Sequence, residues 1–92
     1  MNRVRYIWPR HARTVGAMLR AETAVKACCT VCGLWQKAPL RLFHRAFGPG
    51  YCLINKSMPC ARHECPGRAR FYVQAGQGVP FRPMRDPAFP VE

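Results

Sequence analysis

The sequence predicts a small α+β fold built on two cysteine-bearing turns or hairpins, with one or two short helices. Three observations predict it. The stretches Cys29-Thr30-Val31-Cys32-Gly33 and Cys60-Ala61-Arg62-His63-Glu64-Cys65-Pro66-Gly67 each carry paired thiols and close on turn residues. Short β-compatible runs and two helix-length stretches lie around them. The chain has 92 residues, and at that size only about 60 to 65% of the unfolded surface is buried, so a cross-link or a metal is commonly needed. Together these make the expected fold a metal-stabilised one, in which the two cysteine turns are brought to one tetrahedral site.

Taken in order, residues 1–12 contain Tyr6-Ile7-Trp8-Pro9 without helical periodicity and read as a basic extended arm. A folded domain is expected over 13–75. Thr14 suits the N-cap of a short helix whose apolar face carries Val15, Met18 and Leu19, although Gly16 weakens it. Ala24–Cys29 reads as a strand running into the first thiol turn, and Leu34-Trp35-Gln36-Lys37 as its return, with Gly33 supplying the positive φ of the turn. Pro39 opens a second helix that Gly48-Pro49-Gly50 ends, with Leu40, Phe43 and Phe47 facing the hairpins and Arg41, His44 and Arg45 facing solvent. Tyr51-Cys52-Leu53-Ile54 suggests an edge strand and Asn55-Lys56-Ser57 a loop. Arg68-Ala69-Arg70-Phe71-Tyr72-Val73 reads as the last strand. Residues 76–92 hold too many prolines for a second core and read as an extended tail, docked at most through Phe81 or Met84.

The cysteine pattern is C-x2-C-x27-C-x4-C when Cys29, Cys32, Cys60 and Cys65 are taken together. Four soft thiolates in a tetrahedron suit a single structural Zn²⁺, with no open position to activate water. Such binding supplies roughly 10 to 16 kcal/mol, against a whole-domain stability of about 5 to 15 kcal/mol, so the domain should not fold without its ion. Cys28 and His63 are alternative ligands. Strand alternation lets only one of Cys28 and Cys29 face the metal, and His63 forms C-x2-H with Cys60. Cys28 and Cys52 otherwise read as small buried apolar residues.

Other chemistries find less support. A thioredoxin-like reading of Cys29-Thr30-Val31-Cys32 needs a helix starting at the first cysteine, and Trp35–Pro39 does not supply one. A disulfide framework is expected behind a signal peptide, and the N-terminal apolar residues are interrupted by Arg, Pro and His. An organelle transit peptide fits the basic, acid-free first 21 residues, but that stretch has no Ser. Hydrolytic catalysis would need paired acids or a nucleophile–His arrangement, and neither is found among four scattered acids. No enzyme activity and no small-molecule substrate are therefore expected. No run of about 18 apolar residues occurs, which points away from a membrane span, and with no signal-peptide pattern either, a reducing cytoplasm is the expected compartment.

The cysteine pattern, the helix ending in Phe47-Gly48-Pro49-Gly50 and the strand after Cys65 resemble the zinc ribbon group. More narrowly, with Thr14-Val15-Gly16 ahead of the first cysteine pair, the chain is similar to small uncharacterised zinc-ribbon-like proteins of alphaproteobacteria. The likeness covers about residues 14–73, with a weaker echo in Pro83-Met84-Arg85. It implies Cys29, Cys32, Cys60 and Cys65 as zinc ligands and a bacterial cytoplasmic protein. The second turn is longer than usual in a ribbon, and zinc ribbons serve transcription, translation and protein contacts alike.

Function is expected to lie on the surface that the metal holds in place. The formal net charge is +11, which favours a polyanionic partner. The first expectation is nucleic acid, with Arg3, Arg5 and Arg10 of the arm and Arg68 and Arg70 of the last strand holding phosphates while exposed rings stack on unpaired bases. Phe71 and Val73 are better suited to the core. The second expectation is an adaptor that docks on a protein partner through the arm and the Pro-rich tail, as in Pro80-Phe81-Arg82-Pro83-Met84.

Overall fold

A computed structural model describes residues 12–74 and 76–85. It shows a small α+β fold: helix α1 (Val15–Arg20), strands β1 (Ala24–Cys29) and β2 (Trp35–Lys37), helix α2 (Leu40–Phe47), then β3 (Ser57–Pro59), β4 (Arg68–Gln74) and β5 (Arg82–Pro83). The five strands form one antiparallel sheet in the order β2-β1-β4-β3, with β5 also on β4. Strand β4 is central. Along one edge it pairs with β1 from Ala69 to Gln74. Along the other it pairs first with β3, at Arg68–Arg70, and then with β5, at Tyr72 and Val73.

Alternation along β1 and β4 divides the sheet into two faces. Val25, Ala27 and Cys29 of β1 and Ala69, Phe71 and Val73 of β4 are buried. They form the core with Val15 and Met18 of α1, Leu53, Ile54 and Met84. Helix α1 closes one end of this core, and its first N–H groups all find acceptors. Val15 donates to Tyr51 O at 2.8 Å, Gly16 to Pro49 O at 2.9 Å, and Ala17 to Oγ1 of the N-cap Thr14 at 3.2 Å. Gly16 is part of that closure. A Cβ there would lie 2.8 Å from Pro49 Cβ, so the glycine that weakens the helix by propensity is what lets the 48–51 loop approach it.

Helix α1 and strands β1, β2 and β4 are where they were expected; of the arm expected over 1–12, residues 1–11 lie outside the described residues, and Ala12 is buried in the core. Two details differ. Tyr51–Ile54 is not a strand; Leu53 and Ile54 are buried in the core from an irregular segment, and the edge strand is Ser57–Pro59, with Ser57 drawn from the expected loop. Helix α2 lies at the rim, since none of its residues is fully buried. Phe43 meets Phe71 edge-on at 5.6 Å, but Phe47 is 59% exposed and stacks on Tyr51 instead of the hairpins. The tail docks through Met84, one of the two residues expected to hold it, and adds the short strand β5. Met84 donates its N–H to Phe71 O at 2.8 Å and buries its side chain, and Asn55 N–H closes on Met84 O at 2.7 Å. No helix among the described residues is long and apolar enough to cross a membrane.

Candidate metal centre

The two cysteine-bearing segments meet at one end of the sheet. The Sγ atoms of Cys29, Cys32, Cys60 and Cys65 all lie within 4.8 Å of one another. Cys29 is 3.7 Å from Cys65 and Cys32 is 3.6 Å from Cys60, so each contact bridges the two segments. The group is able to hold one metal ion.

Each half is built by its own turn. In the first, Cys29 is the last residue of β1, Gly33 N–H donates to Cys29 O at 3.1 Å, and Gly33 has φ 76°. In the second, Cys65 N–H donates to Arg62 O at 3.1 Å, and Glu64 takes the left-handed conformation at φ 64°. Strand pairing then joins the turns. Thr30 N–H donates to Arg68 O and Cys60 N–H to Gly67 O, at 3.0 and 3.1 Å. Gln36 Oε1 on β2 accepts the Ala61 N–H at 3.3 Å, a further tie between the segments.

Backbone N–H groups are aimed at the sulfurs. Cys29 Sγ accepts from Val31 at 3.3 Å and from Cys32 at 3.4 Å, Cys60 Sγ from Arg62 at 3.4 Å, and Cys65 Sγ from Gly67 at 3.4 Å. These donors favour thiolates, the form that binds metals. The Cys32 N–H holds the Cys29 thiol down to about 6 against the effect of burial, with help from Val31 N–H and neighbouring thiols. At Cys60 the Arg62 N–H acts in the same direction but is outweighed by burial and by the neighbouring thiols, which push it up to about 12. Cys65 is likewise raised, with burial and the thiols of Cys29 and Cys32 overriding the Gly67 N–H. A Cys29 thiolate beside protonated Cys60 and Cys65 is the arrangement that like-charge crowding favours, and a cation would release the protons of those two.

Gly67 was expected only as the close of a turn, but its missing side chain matters more. An added Cβ would lie 2.5 Å from Cys29 Sγ and 2.8 Å from Val31 Cβ. The two alternative ligands lie outside the group. Cys28 points to the other face, where its Sγ approaches the carbonyls of Cys29 and Gly33 at 3.7 and 3.8 Å. The His63 side chain is 93% exposed, with Nε2 3.5 Å from Glu64 Oε2. Cys52 packs against the core.

Of the residues expected to contact nucleic acid, Arg3, Arg5 and Arg10 lie outside the described residues. Arg68 and Arg70 alternate with buried Ala69 and sit on the sheet's outer face. Arg68 is engaged with β3: Nε donates to Ser57 Oγ and Nη2 to Ser57 O, both at 3.0 Å. Arg70 makes no hydrogen bond or ion pair among the described residues. Sequence reasoning did not single out Lys26, Trp35 and Lys37 of that face, and it named Phe81 only as a docking point of the tail; the structure groups all four beside Tyr72. The alternation of β1 and β2 was the signal that could have found Lys26, Trp35 and Lys37.

Comparison with protein-family models, curated proteins and solved structures finds no match to this chain.

Proposed function

We propose that this chain is a non-enzymatic module in which one structural zinc ion orders a basic, aromatic sheet face for contact with nucleic acid. The donor set fits zinc. Four thiolates about 2.3 Å from a tetrahedrally bound zinc lie about 3.8 Å apart; two of the pairs, at 3.6 and 3.7 Å across the two segments, are close to this, and all lie within 4.8 Å. Cys29, Cys32, Cys60 and Cys65 would fill all four positions and leave none for substrate or water.

The observation that carries the reading is the opposition of two faces on one strand pair. In the β1/β4 register, Cys29 and Ala69 face inward, while the Cys28–Arg70 and Lys26–Tyr72 pairs face outward. Metal at one end of the sheet therefore fixes the strands that display the basic residues without lying among them. With a net charge of +11, the partner best matched to that face is a polyanion. The adaptor reading has less support, because Arg82, Pro83 and Met84 of the tail are used within the fold itself.

The test is a salt titration of binding to short DNA and RNA. Affinity should fall with salt, with a log–log slope near −0.9 for each phosphate neutralised on duplex DNA and about −0.7 on a single strand. No binding of either nucleic acid at micromolar protein in low salt contradicts the reading.

A further inference from the structure

Two adjacent cross-strand rows run across the middle of the sheet's outer face. Register places Lys37, Lys26, Tyr72 and Pro83 in one, and Trp35, Cys28, Arg70 and Ser57 in the next. Trp35 on β2 and Tyr72 on β4 reach toward each other across the intervening β1, and their ring centroids lie 4.9 Å apart at 60°. Phe81 comes across from the segment before β5, and the Lys26 ammonium lies 5.0 Å from its ring centroid. Lys26, Trp35, Tyr72 and Phe81 together line a cleft of about 570 Å³, within the range of about 300 to 1,000 Å³ common for small-ligand sites. Trp35 is 50% exposed although it stands in a strand of the sheet.

We propose that this cleft is a stacking site for an unpaired nucleobase, so that the nucleic acid contacted is single-stranded. The proposal rests on the nucleic-acid reading above and narrows it. Three aromatic rings around one opening suit a flat π-system. A cage for a cationic ligand would also be aromatic, but the Lys26 ammonium already occupies the cation position over Phe81 and repels a second positive charge. A base attached to a phosphate chain meets both features. Its ring stacks on Trp35 or Phe81, and its flanking phosphates meet Lys26, Lys37 and Arg70 in the same two rows. In a duplex the base faces are already stacked and cannot use the rings, so aromatic contact separates single from double strands.

The test uses the full-length, zinc-loaded chain carrying Trp8→Phe, so that Trp35 is the only tryptophan. An oligothymidine single strand and a duplex of equal length are titrated separately, following Trp35 fluorescence and the anisotropy of a dye on the DNA. The single strand should quench Trp35, and Trp35→Ala or Phe81→Ala should weaken its binding by about 5- to 150-fold, the range that loss of one base–aromatic stack gives. Trp35→Phe should restore most of the affinity. Duplex binding should change less than about twofold in all three variants, whereas Arg70→Glu should weaken both ligands. Zinc content of one per chain in each variant shows that the fold is kept.

Wild-type affinity for the single strand in both alanine variants, with zinc retained and the duplex still bound, overturns the stacking site and leaves the broader nucleic-acid reading standing. Binding of neither DNA overturns both.

Discussion

Gly67 stands so close to Cys29 that a Cβ on it would lie 2.5 Å from the Cys29 sulfur. The contact joins the end of the second cysteine turn to the last residue of β1. Real Cβ atoms do not sit that close, and the other near atoms belong to Val31, inside the first turn. Gly67→Ala should therefore push the halves of the site apart. Its zinc affinity should fall at least tenfold in a competition titration with a coloured chelator, and Val31→Ala in the same chain should recover part of the loss. Unchanged affinity in Gly67→Ala would mean that the two turns are not held as closely as described.

The ligand set makes a second prediction. Replacement of Cys29, Cys32, Cys60 or Cys65 by Ser should lower zinc content below one per chain and remove the cooperative thermal transition, because loss of a structural site takes with it binding energy on the order of the whole domain's stability. Cys28→Ser, Cys52→Ser and His63→Ala should keep one zinc. Elemental analysis of purified variants checks this, and loss of zinc in Cys28→Ser alone would move the site by one residue.

Acid should release the metal, and the sign follows from the thiols. Without a cation beside them Cys60 holds its proton up to about 12 and Cys65 is also raised. Both must be deprotonated to bind, so protons compete with zinc at these two positions at neutral pH. Apparent affinity should rise by about two log units or more per pH unit between pH 6.5 and 8 and fall by the same amount on acidification. A slope below one would show that these cysteines are not bound as thiolates.

Gly16→Ala sets two effects against each other. Alanine gains roughly 0.8 to 1.0 kcal/mol over glycine in a helix interior, but its Cβ would lie 2.8 Å from Pro49 Cβ and 3.0 Å from Pro49 O. Backbone cannot give way as a side-chain tip can, and overpacking of this kind costs about 1 to 3 kcal/mol. The variant should melt below the parent in its zinc-loaded form. A higher melting temperature would show that the 48–51 loop is not pressed against α1.

The legibility of this chain depended on how local each signal was. The thiol turns were readable because cysteine spacing and Gly33 act within five residues, and the direction of Cys28 followed from strand alternation. Ser57–Pro59 was missed because a three-residue strand containing proline has no pattern of its own; it exists where Arg68 and Ser57 meet across β3 and β4. Phe47 was placed inward from helix periodicity, which cannot tell that α2 would sit at the rim with Tyr51 as its aromatic partner. Met84 was legible as a docking residue, but not the backbone bond that fixes it to Phe71 thirteen positions earlier, and Gly67 matters through a sulfur 38 positions away. Such contacts depend on the assembled sheet, as does the grouping of Trp35, Tyr72 and Phe81.

The central claim is a closed four-thiolate metal site that holds the sheet together. Native mass spectrometry of protein made under reducing conditions, before and after a chelator, tests it most directly. One zinc per chain in a compact charge-state distribution is expected, with the metal and the compact distribution lost together on chelation. A chain that carries no metal, stays compact and is lighter by the hydrogens of disulfide bonds would contradict it.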